Sequence, residues 1–493
     1  MASTHGTKSA QVRARLNHPV IDADGHMIEF DLGFVDYLKN VGGATMVKRY
    51  EETVGNGYFV ATDGDAWHKL TPEQRRKTRA TRRPWWALPT KNTLDRATAT
   101  LPKLQYERLD QFGLDFAVLY PSLGLGFPAI PDDDLRRAAC RALNNFHADI
   151  YAEFSDRLTP AAVIPMHTPQ EAIDELENAV RDKKLKALMM ASHVRRPLAA
   201  INEKSPELGR YAFWIDNFCI DSEYDYDPVW AKCVELRTAP SYHSGTMGVG
   251  TRTSINNYMY NHIGHFAAAS EALCKALFMS GVTRRFPTLR FAFLEGGVAW
   301  ACSLYADLIG HWEKRNAVAV ENYNPASLDR KMYLDLFRRY GGKMVEGKLE
   351  AMASRRMLGD PDQPGERDDW ARCGIRRAED IKMLFVPSFY FGCEADDPMN
   401  SLAFNSKLLP FGARLNAVFS SDIGHWDVPD MTEVTEEAYE LVEHGLINQD
   451  DFRDFVFANP ARLWAEMNPD FFKGTVVEDA VKKLMAAWPR AAA

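Results

Sequence analysis

Eight short apolar runs recur along the chain, and most are followed by residues whose apolar positions repeat at helical spacing. The runs that read as strands open at Val20 and continue with Phe116 to Tyr120, Leu158 to Pro165, Leu185 to Met190 and Ala239 to His243. Leu289 to Leu294, Met383 to Phe391 and Ala417 to Ser420 complete the set. Helices are predicted over Leu104 to Phe112, Asp132 to Phe154, Gln170 to Asp182, His265 to Phe286 and Val298 to Lys314. Asp133 or Asp134 places acid in a first turn, and Asp227-Pro228 opens a further helix where a missing N–H costs nothing. Thr432 to Glu443 and Asp450 to Asn459 are the closing helices. Near-continuously apolar strands alternating with helices mean a parallel sheet, and eight of them point to a closed (β/α)8 TIM barrel.

Two stretches interrupt the rhythm, at about 37–100 and 317–380, and both are read as helical insertions over the C-terminal mouth. Within the first, Thr71 to Arg83 is strongly basic and reads as a solvated helix, with Trp85-Trp86 buried beneath a lid. Residues 1–17 are polar and basic, a loose N-terminal arm. Residues 18–465 form the barrel with its insertions, and 466–493 a C-terminal helical tail.

Composition narrows the function. The 493 residues are 46% hydrophobic, and 59 Lys and Arg against 67 Asp and Glu leave a net charge of -8, which disfavours nucleic acid as a partner. No apolar run is long enough to span a bilayer, and the N-terminus has no apolar signal core. Seven cysteines lie scattered without a CxxC pair, as expected of reduced thiols in a cytoplasmic protein. The strand–helix turns of the first half carry neither GxGxxG nor GxxxxGK[ST], so a nucleotide fold has no support.

The candidate chemistry lies at strand ends. Asp22, Asp24 and His26 alternate along the first strand and share a side if it continues through them, a good metal site and a poor core. His167 ends the third strand, His243 the fifth with His262 and His265 just beyond, Glu295 the sixth, and Asp422 and His425 the eighth. In a (β/α)8 barrel these ends meet at one mouth. His167 also reads as a loop residue, His193 as surface or substrate-facing, and His425, beside Trp426, as a packed supporting group. His262 and His265, three apart, can face one side of a helix. A buried Glu295 is costly unless paired or metal-bound.

Asp24-Gly25-His26 after an apolar strand, His243 in Ser-Tyr-His-Ser-Gly, the Phe286-Pro287 to Glu295-Gly296-Gly297 segment and Ser421-Asp422-Ile423-Gly424-His425 resemble the amidohydrolase-related family. That resemblance covers residues 19–30 and about 230–465. It implies a barrel whose metal is held by Asp24, His26, His243 and Asp422, with Glu295 assisting. Asp24 and Glu295 stand where the family carries histidines, and the extra negative charge makes room for a second ion, with Glu29, His262, His265 and His425 as spare ligands.

The expected activity is that of a metal-dependent hydrolase or lyase acting on a small carboxylate- or carbonyl-bearing substrate through metal-activated water. Asp422 serves as ligand or proton shuttle, and Glu295 as base or ligand. Zinc, iron or manganese is expected, as one or two ions. Arg195, Arg196 and Trp426 are the candidate substrate contacts. Two alternatives stand beside this: a dinuclear iron or iron–manganese monooxygenase on the same barrel, and a noncatalytic subunit of a hetero-oligomer. Assembly through the insertions into a homo- or hetero-oligomer is expected.

Overall fold

The structure is a computed structural model that describes residues 6–53, 67–82, 91–209, 211–354, 367–425 and 427–488; Trp85, Trp86 and Trp426 lie outside them. Ten strands form: β1 (Ile21–Met27), β2 (Phe116–Pro121), β3 (Leu158–Ile164), β4 (Ala187–Met190), β5 (Val194–Pro197), β6 (Phe213–Asp216), β7 (Ser241–Tyr242), β8 (Phe291–Phe293), β9 (Phe389–Cys393) and β10 (Asn416–Phe419). Eight lie side by side in the order β1-β2-β3-β4-β7-β8-β9-β10, and each neighbouring pair is parallel. The two ends of this sheet meet: the His26 N–H donates to Ile423 O at 2.7 Å and the Asp422 N–H to Asp24 O at 3.0 Å. The chain is therefore a (β/α)8 barrel.

The eight barrel strands are buried at every position, which is why they read as apolar runs instead of alternating ones. Aromatic rings tie the later strands together: Tyr242 and Phe293 have ring centres 5.5 Å apart, and Phe293 and Phe389 5.7 Å. Each such buried ring contributes about 1.5–3 kcal/mol of hydrophobic stabilisation.

Four expectations change. The run predicted as a strand from Met383 is helix over Ala378–Phe385, burying Ile381 and Phe385, and β9 starts at Phe389. Length misleads here, because a short apolar run bears no period that separates helix from strand. Residues 6–17 of the N-terminal arm are ordered: a helix over Lys8–Arg15, capped by Thr7, buries Ser9 and Val12 and packs against the helix Val434–Glu443.

The two insertions also part company. The helix Asp31–Thr53 packs on the outer helix Asp133–Ile150, with Phe34 and Leu38 fully buried and Tyr37 Oη donating to Asp149 at 2.7 Å. Residues 67–82 instead lie on the segment after β7, where Trp67 Nε1 donates to Ile255 O at 3.2 Å and Arg82 N to Ser254 O at 2.8 Å. The second insertion leaves the helix Ala299–Arg315 at its C-terminal end, the end away from the mouth. Its return is packed at the same level, since Gly281, just past the helix His265–Met279, leaves a Cβ no room against Arg372 O. The insertion at 317–380 thus leaves and rejoins the barrel on the side away from the mouth. A feature absent from the sequence reading is the antiparallel β5–β6 hairpin.

Candidate metal centre

β1 supplies Asp24 and His26. Its pairing with β2 slips between Asp22 and Gly25, so the simple alternation of three side chains does not hold. Asp22 turns into the wall, accepting from the Asp24 N–H at 3.1 Å, from the Ser421 N–H at 2.9 Å and from the Ser421 hydroxyl. Burial raises its carboxyl to about 6. Asp22 thereby joins β1 to the end of β10 and is absent from the groups that could bind an ion.

Those groups form where the strands end. Asp24, His26 and His243 make one; His26, Glu295, Asp422 and His425 a second; Glu295, Glu394 and Asp427 a third. His26 Nε2 lies 3.2 Å from His243 Nε2, 3.7 Å from Asp24 Oδ1 and 3.3 Å from Asp422 Oδ1. His243 Nε2 lies 3.8 Å from Asp24 Oδ1 and 2.8 Å from Glu295 Oε2. His425 Nδ1 is 2.9 Å from Asp422 Oδ1 and 3.9 Å from Glu295 Oε1. Neighbouring ligand atoms around an ion with bonds of about 2.0–2.2 Å sit roughly 3–3.6 Å apart, close to these separations.

Asp24, His26, His243, Glu295, Asp422 and His425 are all buried. Both carboxylate oxygens of Asp24 are closed to solvent and accept no hydrogen bond. Burial pushes the Asp24 carboxyl well above its usual range, aided by the charges of Asp422, Asp22 and Glu394. Burial likewise raises Glu295, reinforced by Asp422 and Asp24, and raises Asp422, reinforced by Asp427 and Asp22. It lowers His26 strongly, His243 to about 3 and His425 to about 4, so the imidazoles are neutral with lone pairs available at pH 7. Buried carboxylates crowded against neutral imidazoles are costly unless a cation neutralises them. This donor set therefore fits a divalent metal, and mixed nitrogen and carboxylate ligands suit zinc, iron or manganese.

Backbone geometry at the same place is unusual. Glu295 and Asp422 both hold left-handed φ values, 56° and 52°. A non-glycine residue there costs about 1–2 kcal/mol, and such outliers gather at functional sites. Gly424, at φ 90°, brings its own backbone so close to His26 O that a Cβ would lie 2.7 Å away.

The other sequence candidates fall elsewhere. His262 and His265 adjoin each other, with ring centres 4.7 Å apart, but neither enters an ion-binding group. The ring of Phe266 stands between, 4.0 Å from that of His265 and 5.2 Å from that of His243. Arg196 is buried, donating to Asp216 Oδ2 at 2.8 Å and to Tyr226 Oη at 3.0 Å. Arg195 lies over the Phe213 ring at 4.9 Å and reaches Met247 O at 3.4 Å. Glu29 lies outside those groups, and its oxygens accept the N–H groups of Leu123 and Gly124 at 2.8 and 3.0 Å. His167 sits 3.9 Å from Glu171, outside the groups. Trp426 falls outside the described residues. Glu394 and Asp427 were missed; the signal for Glu394 was its place just after β9, at the same rim as the rest.

A barrel with such a mouth belongs to the class of metal-dependent (β/α)8 enzymes. The family model described as Amidohydrolase matches residues 64–343, more than half of the chain. The chain belongs to the amidohydrolase family and is a metal-dependent enzyme of that superfamily. Among solved structures it is similar to an amidohydrolase from Mycobacterium avium subsp. paratuberculosis, at 13% identity over 91% of this chain and 98% of that one, with a TM-score of 0.51. It is also similar to 5-carboxyvanillate decarboxylase from Novosphingobium aromaticivorans, solved with manganese and 4-hydroxy-3-methoxy-5-nitrobenzoic acid, at 13% identity, 91% and 96% coverage and a TM-score of 0.49. At these identities the likeness is one of fold. Among the described residues no helix is long and apolar enough to cross a membrane.

Proposed function

We propose that the chain is a metal-dependent hydrolase or lyase acting on a small carboxylate- or carbonyl-bearing molecule. The observation that carries this is the buried triplet Asp24, His26 and His243, with an Asp24 carboxylate that has no hydrogen bond of its own. Asp24, His26, His243 and Asp422 would hold the ion. When bound, it supplies Lewis acidity and a water acidified toward neutral pH. Glu295, whose Oε2 is 2.8 Å from His243 and whose carboxyl holds a proton well above the usual range, receives or returns a proton at the substrate side. Asp422 positions His26 and His425 through one oxygen, 3.3 and 2.9 Å away, and is the alternative proton carrier. Elemental analysis with turnover tests this: a metal-free preparation working at full rate ends the proposal.

A second reading has its own observation. Glu295 belongs both to the group with His26, Asp422 and His425 and to the group with Glu394 and Asp427, which is how a carboxylate shared by two ions is placed. This supports a dinuclear iron or iron–manganese monooxygenase. Oxygen uptake with a reductant and two ions per chain would favour it; one zinc per chain with no oxygen uptake would exclude it. We place the enzyme in the cytoplasm, in keeping with seven free cysteines, and as an oligomer, which light scattering would refute by returning a monomer.

A further inference from the structure

Arg252 and His265, beside the metal centre, have polar atoms that find no partner among the described residues. The segment Ser244-Gly245-Thr246-Met247-Gly248-Val249-Gly250-Thr251-Arg252 follows His243 directly. His265 is 3% exposed, and neither of its ring nitrogens makes a hydrogen bond. Its ring is pressed onto Gly245, where a Cβ would come within 1.9 Å of Nδ1. Arg252 donates one N–H to Gly264 O at 3.0 Å, while its Nε is closed to solvent and unbonded. Native interiors pair nearly all such groups, so two unpaired donors on neighbouring side chains, the Arg252 Nε–H and the one N–H of the neutral His265 ring, mark the place of an absent acceptor.

The charge around them supports the same reading. Among the described residues neither Arg252 nor Arg75 nor Arg82 pairs with a carboxylate, although the chain carries 67 acids against 59 bases. Arg75 and Arg82 are stacked on the Trp67 ring at 3.3 and 4.4 Å, and Trp67 and Arg82 are bonded to Ile255 and Ser254, just beyond Arg252. Arginines in structural roles behave otherwise: Arg108 is 2.6 Å from Asp95, Arg136 3.0 Å from Glu171, and Arg290 2.6 Å from Glu466.

We propose that Arg252 and His265 form a carboxylate-recognition subsite, one phenyl ring (Phe266) away from His243, which orients the substrate by an anionic group that does not react. This rests on the reading of the neighbouring cluster as a metal-dependent active centre. A guanidinium matches a carboxylate through two parallel N–H donors, which a lysine ammonium cannot reproduce. The basic residues on Trp67 offset the acidic cluster and draw an anion to the mouth.

The test is calorimetric titration of the manganese-loaded full chain with benzoate, acetate and the neutral isostere benzamide, alongside a manganese count. The expected result is that both carboxylates bind and benzamide does not. R252M then weakens benzoate by at least about tenfold, R252K and H265Q by less, and manganese per chain stays unchanged. The subsite is overturned if no carboxylate binds the wild-type protein, if benzamide binds equally, or if R252M and R252K leave benzoate affinity unchanged. A wild-type chain that takes up none of manganese, zinc or iron refutes the metal reading instead, and the benzoate comparison between wild type and R252K is then made on the metal-free chain with the same criteria.

Discussion

His26 and His425 stack face to face, ring centres 3.7 Å apart and planes 9° from parallel. They come from opposite ends of the chain, and both reach Asp422 Oδ1, at 3.3 and 2.9 Å. Two protonated rings at this distance would repel. Burial keeps both neutral, so their lone pairs are offered side by side to a cation.

The two rings are expected to differ in weight. His26 belongs to two ion-binding groups and His425 to one. H26A should lower metal affinity more than about 100-fold, above the loss typical of supporting residues, whereas H425A should retain at least one ion. Elemental analysis after dialysis against a weak chelator measures this, and a fully loaded H26A would contradict it.

Metal uptake should release protons. Burial and neighbouring acids raise the carboxyls of Asp24, Glu295 and Asp422, which favours their protonated forms in the metal-free protein, while the imidazoles are already neutral. Binding must displace the carboxyl protons, fewer as pH rises. Titration at pH 7 in buffers of different ionisation heat should give buffer-dependent enthalpies. Identical enthalpies would show the carboxylates already ionised.

The same shifts set the stability of the metal-free chain. A carboxyl whose pKa is higher folded than unfolded contributes stability below its unfolded pKa, and this is lost as pH rises through the folded value. The lowered imidazoles act oppositely but only below their unfolded pKa of about 6.5. Metal-free D422N should therefore exceed the wild type by roughly 1–3 kcal/mol at pH 8, with a smaller gain at pH 5. Urea unfolding in chelator is the measurement; a gain that grows toward low pH would reverse the sign.

Arg196 should matter for folding. Removing one member of a buried ion pair costs about 3–5 kcal/mol, so R196A should lower unfolding stability by that order through the stranded Asp216. If R196A is as stable as wild type and loses only substrate affinity, the assignment to structure fails.

Gly424 fixes the approach of His26. Alanine there must take φ 90° and press a Cβ to 2.7 Å from His26 O. G424A should lose about 1–3 kcal/mol of stability and bind metal more weakly, because His26 must shift. Unaltered metal affinity with a lowered midpoint would confine the effect to folding.

The barrel was legible because strands covered on both faces need apolar residues at every position, and β2, β3, β8 and β10 carry that requirement in their sequences. The rim was legible for a related reason: Asp24, His243, Glu295 and Asp422 are the polar residues that end such runs, and the topology gathers strand ends at one mouth. Local pattern could not tell which polar residues share a point. Asp22 was diverted by a one-residue slip in β1 pairing, and His265 by the ring of Phe266. Glu29 was diverted by two backbone donors from the β2 end, and Glu394 and Asp427 were drawn together across more than thirty residues of sequence. Composition and hydrophobic period, summed along the chain, thus determined the ring and the kind of chemistry at its edge. Which atoms meet within an ion's reach was decided by tertiary packing, because ligand geometry depends on shifts of an ångström or two that no one-dimensional pattern encodes.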